Sequence, residues 1–263
     1  MKNVEASEAV LVEKLSSHVV LVQINRPEAR NAINGAVARG LEQAWKQIEA
    51  DPDAWVAILT GAGDQAFCAG ADLKEMAAGN RDSLFTEDGG FAGFVYAKRS
   101  KVWIAAINGT AVAGGLEITL ACDMVVAADT ATFGLPEVKR SLIALAGGVY
   151  RLARSIPRNV AIEMIATGEV INAERAHSLG LVSRVVPPNE LRSAALDLAE
   201  SICRNAPMAV RESLALARSA ADLTETELRA AGELARERLY ATDDFREGPR
   251  AFVERRAPNW TGR

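Results

Sequence analysis

The sequence contains little cysteine and histidine, the residues on which many metal and thiol sites depend. Only three cysteines and two histidines occur in 263 residues, and Cys68, Cys122 and Cys203 are far apart, with no C-x-x-C spacing. An odd number of scattered cysteines predicts reduced thiols, and with them a cytoplasmic location, in place of a disulfide framework. No cluster of histidine, cysteine and acidic residues has the spacing of metal ligands, so we expect no metal.

Long apolar runs and an excess of basic residues are also missing. No segment offers the roughly 18 uninterrupted apolar residues that a membrane span needs, and Met1–Glu13 is charged, without the apolar core of a signal peptide. The 30 lysines and arginines against 34 aspartates and glutamates give a formal net charge of −4. These absences predict a soluble protein with no membrane and no nucleic-acid partner.

What remains is an ordinary globular composition, 49% hydrophobic and 24% charged, in a chain that fits one large α/β domain with or without a helical appendage. Val10–Leu15 and Val19–Ile24 are rich in β-branched residues and predict a hairpin. Asn34 is expected to cap a helix whose apolar residues follow one stripe. That stripe consists of Val37, Leu41, Ala44, Trp45 and Ile48.

Strand and helix patterns then alternate. Short buried strands are predicted at Trp55–Thr60, Trp103–Ile107 and Met124–Ala128, with helices at Ala92–Lys101 and Gly114–Cys122 between them. This alternation is typical of βαβ units with parallel strands. From about residue 149 helix patterns dominate. The pattern therefore predicts an α/β core at residues 1–200 and a helical region at residues 201–263.

The segment Ala66–Glu75 follows the first of these buried strands and a glycine loop. Asp72 and Glu75 have the spacing of a capping box, which predicts a helix start after the small residues Ala69 and Gly70. The first N–H groups of a helix have no internal partner and favour negative charge, so this turn can hold an anionic ligand. A plain capped helix explains the same residues.

The segment Asn108–Glu117 repeats this arrangement. A buried strand leads through small residues into a helix that begins near Gly114, with Glu117 close to its first turn. The Gly114 N–H is then free for a ligand. Glu117 is placed either for acid–base chemistry or simply to suit the helix dipole.

A third candidate lies in Phe133–Val138. Pro136 fixes its own φ and favours an extended Leu135, so Glu137 is held on a stiff turn after the predicted strand Ala131–Phe133. A solvated surface glutamate has the same local pattern, and the segment alone does not separate the two interpretations.

Together, the three segments resemble the crotonase, or enoyl-CoA hydratase/isomerase, superfamily. The resemblance starts at Asn25–Ala32 and ends at Asp243–Gly248 and Ala251–Arg256, so it extends over nearly the whole chain. It implies an α/β crotonase spiral of ββα units over residues 1–200, with a C-terminal helical trimerisation region over residues 201–263. It also implies a homotrimer or dimer of trimers, and no cofactor beyond the coenzyme A of an acyl-CoA substrate.

The resemblance implies roles at matching positions. The amides of Ala71 and Gly114 match the two donors of an oxyanion hole, and Glu117 and Glu137 match the two catalytic acids of enoyl-CoA hydratases. In such an enzyme Glu117 activates the water that attacks C3 of a 2-enoyl thioester, and Glu137 delivers a proton to C2.

Positions near the adenine and pantetheine of CoA are implied as well. These neighbours of CoA are Ala29, Ala69, Asp72, Leu73 and Lys74. Phe252 and Arg255 match a C-terminal helix that, in the family, can reach the CoA site of an adjacent subunit. Arg255 stands where the family often has lysine, and either cation can meet a phosphate, with different geometry.

The match is weaker after Glu137. Leu145 stands where the family often has a glycine whose N–H helps to hold the catalytic water. A leucine cannot freely adopt a positive φ and adds bulk near the acyl pocket, which points to an unusual acyl group. The polar, glycine-rich segment Gly79–Gly93 is expected to form a mobile wall of the same pocket.

Three other functions stay open at this point. Double-bond isomerisation usually needs only one of the two glutamates, and both are present. Hydration or lysis of a specialised acyl-CoA uses the same residues as an ordinary hydratase. A non-catalytic binding protein on this scaffold, such as an RNA-associated one, is disfavoured by the intact glutamate pair and the acidic isoelectric point near 5.4.

Overall fold

The computed structural model describes residues 8–263, so the prediction for Met1–Glu13 lies partly outside the described residues. Its strands are β1 Val10–Lys14, β2 Val19–Ile24, β3 Val56–Gly61, β4 Ala66–Cys68, β5 Phe85–Thr86, β6 Gly90–Phe91, β7 Val102–Ile107, β8 Thr110–Val112, β9 Met124–Ala128, β10 Thr132–Gly134, β11 Ile171–Asn172 and β12 Arg184–Val186. Its helices are α1 Gly35–Ala50, α2 Leu73–Ala77, α3 Gly114–Ala121, α4 Gly148–Ser155, α5 Arg158–Thr167, α6 Ala173–Ser178, α7 Leu191–Cys203, α8 Pro207–Ser219, α9 Glu225–Tyr240 and α10 Asp243–Glu254.

The main sheet contains six of these strands in the order β1-β2-β3-β7-β9-β12. β1 and β2 form the predicted antiparallel hairpin, and every later neighbour is parallel. The predicted strands at Trp55–Thr60, Trp103–Ile107 and Met124–Ala128 are confirmed, within a residue at each end, as β3, β7 and β9.

A second sheet of four short strands has the order β11-β10-β8-β4. Each of three main-sheet strands continues into one strand of this smaller sheet and then into a helix. β3 leads to β4 and α2, β7 to β8 and α3, and β9 to β10 and a 3-10 helix at Pro136–Arg140. This repeated ββα unit is the predicted spiral. Because β4, β8 and β10 pair in parallel, the turns after them lie at the same edge.

Helix α1 confirms the predicted cap and stripe. The Asn34 side chain accepts from the N–H of Val37 at 3.0 Å, and all five residues of the stripe are buried. An isolated helix of 16 residues is only marginally stable in water. The burial of this stripe against the main sheet therefore supplies most of the stability of α1.

The helix predicted at Ala92–Lys101 is wrong. This segment forms turns and irregular chain, with φ of 58° at Ala92 and 63° at Gly93. Two consecutive left-handed residues cannot continue a right-handed helix. The turn is held by a tertiary contact, since Trp45 Nε1 donates to the Gly93 carbonyl at 2.8 Å. An apolar pattern alone did not reveal that contact.

Helices α4–α10 account for most of the chain after residue 148, as predicted. Ala195 and Ala199 of α7 are buried in one cluster with Ile58 and Ile104 of the main sheet. The predicted boundary at residue 200 falls within α7, and the division at that point stays a prediction. No helix within residues 8–263 is long and apolar enough to cross a membrane.

Candidate active site

Two strand-to-helix turns meet at the edge of the smaller sheet. Gly70 lies in the turn between β4 and α2 and has φ of 91°. A Cβ added to Gly70 would lie 2.9 Å from the Ala113 Cβ and 3.1 Å from the Gly114 nitrogen. Only glycine allows both this backbone conformation and this close approach. The first turn is therefore packed directly against the start of α3.

The amides of Ala71 and Gly114 are free at this contact. Neither N–H donates to an acceptor within residues 8–263, although the backbone around them is fully engaged. Asp72 N–H donates to the Ile33 carbonyl at 2.8 Å, and Ala113 N–H donates to the Gly134 carbonyl at 3.0 Å. Two unpaired donors that lie on adjoining turns can bind one oxygen on which negative charge develops.

Glu117 lies one turn after Gly114 on α3 and is only 4% exposed. Its Oε1 accepts from the Gly148 N–H at 3.0 Å. Burial raises the pKa of Glu117 to about 7, the Gly148 N–H opposes this rise, and the neighbouring Glu137 carboxyl adds to it. This acid therefore changes protonation state close to neutral pH, as a catalytic acid or base requires.

Glu137 lies on the 3-10 helix that follows β10. Its Oε2 is buried and has no hydrogen-bond partner in the described part of the chain. Burial raises the pKa of Glu137 as well. The structure thus brings the two predicted acids into one electrostatic environment, although 20 residues separate them in the sequence.

Asp72 has a structural role next to these groups. One of its oxygens accepts from the Lys74 N–H at 3.0 Å and the other binds Arg26 Nη1 at 3.1 Å. The predicted capping box is wrong in its second half, because the Glu75 carboxylate accepts from Asn80 Nδ2 at 2.9 Å. Asp72 therefore holds the start of α2 and the loop that contains Arg26 together.

The residues predicted near CoA fall into two groups. Ala69 N–H donates to the Arg30 carbonyl at 3.1 Å, which brings the loop containing Ala29 beside the turn. Leu73, 53% exposed, and the exposed Lys74 follow on α2, so these positions share one rim.

Phe252 and Arg255 lie elsewhere, at the end of α10. Phe252 is 86% exposed. Arg255 follows the last helical residue, with φ of 53°. Their contact with the CoA of an adjacent subunit stays a prediction.

Leu145 does not direct its N–H toward Glu117. That N–H donates to the Ile143 carbonyl at 2.9 Å, while the Leu145 side chain is 68% exposed. The Leu145 carbonyl accepts from the Tyr96 hydroxyl at 2.9 Å. The amide that holds Glu117 belongs to Gly148, which the sequence reasoning missed, and the pair Gly147–Gly148 before an amphipathic helix was the available signal.

The histidines and the buried cysteines stay outside this chemistry. His18 stacks on Trp55 with ring centroids 3.6 Å apart, and His177 Nδ1 lies 2.8 Å from the Val182 carbonyl. Burial raises the pKa of Cys68 and of Cys122 to about 12, so neither is a ready nucleophile. Within the described residues no group of three or more potential ligands could hold a metal ion.

Known proteins match this chain over nearly its whole length, including every residue of the candidate site. The model of the enoyl-CoA hydratase/isomerase family matches residues 14–263. Enoyl-CoA hydratase EchA19 of Mycobacterium tuberculosis is 39% identical over 269 residues, covering 100% of both chains. (E)-Benzylidenesuccinyl-CoA hydratase of Thauera aromatica is 41% identical over 251 residues, covering 95% of this chain and 98% of that one. The crystal structure of an enoyl-CoA hydratase from Mycobacterium tuberculosis matches with a TM-score of 0.92 and 42% identity, covering 97% of this chain and 100% of the other.

Proposed function

Because the chain belongs to the enoyl-CoA hydratase/isomerase family, we propose that it adds water reversibly across the 2,3-double bond of a 2-enoyl-CoA thioester. The observation that carries this proposal is the combination of two unpaired amides, at Ala71 and Gly114, with the buried Glu117 and the half-buried Glu137, both of raised pKa. An isolated pair of amides would only bind an anion. The two acids add the proton transfers that hydration needs.

The amides act on the thioester oxygen. When water attacks C3, the electron pair of the double bond moves toward C2 and negative charge develops on that oxygen. The N–H groups of Ala71 and Gly114 stabilise this charge more than they stabilise the neutral carbonyl of the substrate. One such donor typically contributes about 10²–10³ in rate.

The two glutamates divide the proton transfers. Glu117 accepts a hydrogen bond from Gly148, which favours its ionised form, so we assign it the removal of a proton from water. Glu137 has a buried oxygen without a partner in the described residues, and burial shifts its pKa upward, which favours the protonated form, so we assign it the delivery of a proton to C2. One proton enters at Glu117 and one leaves from Glu137, and transfer from the first acid to the second restores the pair.

The rim beside the amides is the proposed CoA site. Ala69 lets the thioester approach the backbone, and Lys74 is placed to meet a phosphate. In a homotrimer or a dimer of trimers, Phe252 and Arg255 of a neighbouring subunit complete this site. The proposal needs no cofactor beyond the CoA of the substrate, and a cytoplasmic location agrees with the free cysteines.

Glu117→Gln and Glu137→Gln test whether both glutamates take part in the proton transfers. With crotonyl-CoA and longer enoyl-CoAs, the natural protein should remove the absorbance of the enoyl thioester, and each variant should be slower by about 10²–10⁴. Circular dichroism checks that the variants are folded. A protein that turns over none of these thioesters but retains RNA tightly would contradict the proposal and favour a binding role.

Isomerisation of a 3-enoyl-CoA is the second enzymatic candidate, because the same oxyanion hole stabilises its dienolate. It requires one acid that moves a proton between two carbons, whereas the structure presents two acids. Product mass separates the reactions, since only hydration adds the mass of water.

A further inference from the structure

A cavity of about 620 Å³ lies beyond Glu117 along α3. Leu120 and Cys122 at the end of α3 line one wall, and Tyr150 and Arg151 of α4 line another. A helix rises about 1.5 Å per residue, so Leu120 lies about 5 Å past Glu117 along α3. Helix α4 starts at the glycine that binds the Glu117 carboxylate. Both walls therefore begin one turn beyond the reacting centre.

The cavity carries an excess of positive charge. Its lining contains five cationic side chains, from Lys98, Arg99, Arg151, Arg154 and Arg218, against the two carboxylates of Asp123 and Asp222. Arg218 pairs with Asp123 at 2.7 Å, and Arg154 pairs with Asp222 at 2.8 Å. Within residues 8–263, the other three cations have no carboxylate at ion-pair distance.

Arg99 and Arg151 present buried nitrogens that lack an acceptor. Arg99 donates to the carbonyls of Phe94 and Ala121 at 2.8 and 2.6 Å, but its Nε is buried without a partner in the described chain. Arg151 Nη2 donates to the Val95 carbonyl at 2.9 Å, and its Nη1 is buried and likewise unpartnered. Both nitrogens are covered by the protein itself, so a ligand in the cavity would meet the rest of each guanidinium group, whose positive charge has no carboxylate partner within residues 8–263.

One cation of the cavity, Arg151, is close enough to Glu117 to influence its charge. The Arg151 guanidinium opposes the rise in the pKa of Glu117 that burial causes. Arg151 also lies 5.6 Å from the ring centre of Tyr96 and 5.9 Å from that of Tyr150. Two aromatic rings beside the guanidinium thus line the cavity, and they suit the carbon chain of a substrate.

We infer that the acyl group of the substrate ends in a carboxylate. Arg151 binds this carboxylate, and Arg99 adds a second positive charge in the same cavity. This inference rests on the proposed hydration, because that reaction fixes the direction of the acyl group. The thioester oxygen lies at the start of α3, C3 lies beside Glu117, and the tail continues over the last turn of α3. An uncharged tail would leave the positive charges of Arg99 and Arg151 without a carboxylate partner in this cavity.

The test compares trans-2-octenedioyl-CoA, which ends in a carboxylate, with trans-2-octenoyl-CoA, which ends in a methyl group. The natural protein should have the higher kcat/KM for the dicarboxylate. In Arg151→Gln the ratio of the two kcat/KM values should fall about 30-fold or more, since removing one partner of a buried charge pair weakens binding at least that much. Arg151→Lys, which keeps the charge but not the planar fork, should lie between.

Arg158→Gln is the matched control, because it removes one exposed positive charge on α5, outside the cavity lining. Its ratio should equal that of the natural protein. A ratio near one in the natural protein, or an Arg151→Gln variant that slows both substrates equally, overturns the inference but leaves hydration intact. Absence of hydration with both substrates contradicts the proposed function itself.

A binding measurement on the natural protein alone does not depend on whether a variant folds correctly. Octanedioyl-CoA and octanoyl-CoA cannot be hydrated, so they report binding as competitive inhibitors. The natural protein should bind octanedioyl-CoA about 30-fold more tightly, as expected for a buried charge pair. Equal inhibition constants would overturn the inference.

Discussion

The two turns that form the site start alike and end differently. Both lead from a short strand through small residues into a helix. At the start of α2, Asp72 accepts from the Lys74 N–H and also pairs with Arg26. At the start of α3, Ala113 stands at the capping position with φ of 53°, and no side chain caps the helix.

Each turn nevertheless keeps one free hydrogen-bond donor: the Ala71 N–H lies just before the capped helix α2, and the Gly114 N–H lies at the uncapped start of α3. A capped start satisfies helix N–H groups within the chain, and so it stabilises the fold. An uncapped, buried start with a strained residue before it costs stability, about 1–3 kcal/mol for the backbone conformation alone. That cost is retained at α3, where Gly114 and Glu117 lie, and avoided at α2, which carries no acid of the pair.

Within the comparison of the two turns, the largest expected effect comes from separating them. Gly70→Ala places a Cβ 2.9 Å from Ala113 and 3.1 Å from the Gly114 nitrogen, so the two amides can no longer converge. We expect kcat to fall about 10²-fold, the typical effect of losing one oxyanion donor. Steady-state hydration of crotonyl-CoA measures it.

Gly79→Ala provides the control for backbone strain. Gly79 also has a positive φ, 82°, but a Cβ there meets nothing within 4 Å. Gly79→Ala should lose stability from the left-handed backbone alone, Gly70→Ala should lose more because its Cβ also meets Ala113, and only Gly70→Ala should lose most of its activity. Equal activity in the two variants would show that the contact between the turns is irrelevant to catalysis.

An intermediate effect is expected from pH. Glu117 must be ionised to activate water, and burial raises its pKa to about 7. The plot of kcat/KM against pH should therefore rise about tenfold per unit below pH 7 and bend near that value. A bend near pH 4.5, the ordinary value for glutamate, would mean that Glu117 is not the water activator.

Stability should change with pH in the opposite direction. The folded protein keeps the Glu117 proton up to about pH 7, whereas the unfolded chain releases it near pH 4.5. The folded state therefore binds more protons in this window, and its stability falls as pH rises from 4.5 to 7, by about 3 kcal/mol at most. Glu117→Gln should remove this fall, which urea denaturation at pH 5 and pH 8 would measure.

The smallest effect should come from the capped turn. Asp72→Ala removes the cap of α2 and the partner of Arg26, which should lower the free energy of unfolding by about 1 kcal/mol. The acids and the Gly114 amide are untouched, so kcat should change only a few-fold while KM rises. A loss of kcat as large as that in Gly70→Ala would show that the cap of α2 serves catalysis and not only stability.

Local signals predicted the framework from the sequence. The Asn34 cap, the stripe of α1 and the main-sheet strands β3, β7 and β9 depend on residues close in the chain, and all are confirmed, whereas the short strands β4 and β8 directly before the two turns were missed. The turns at Ala92 and Gly93 were missed, because they depend on a hydrogen bond from Trp45, more than 40 residues earlier. An apolar pattern gives no sign of such a contact.

The site was predicted unevenly for the same reason. Glu117 and Glu137 stood out through motifs, and the fold brings them into one environment. Gly148 was missed because its function depends on a carboxylate 31 residues away. Arg99 and Arg151 showed no motif at all, and only the packing of α4 against α3 and against the irregular segment before β7 places both in one cavity.

Hydration in ¹⁸O-labelled water tests the central claim most directly. With trans-2-octenoyl-CoA, or the matching dicarboxylate, the natural protein should give a 3-hydroxyacyl-CoA that carries one ¹⁸O atom at C3, and Glu117→Gln should slow its formation. A product of unchanged mass with a shifted double bond, or no labelled product from either thioester, would contradict the assignment of two acids to the addition of water.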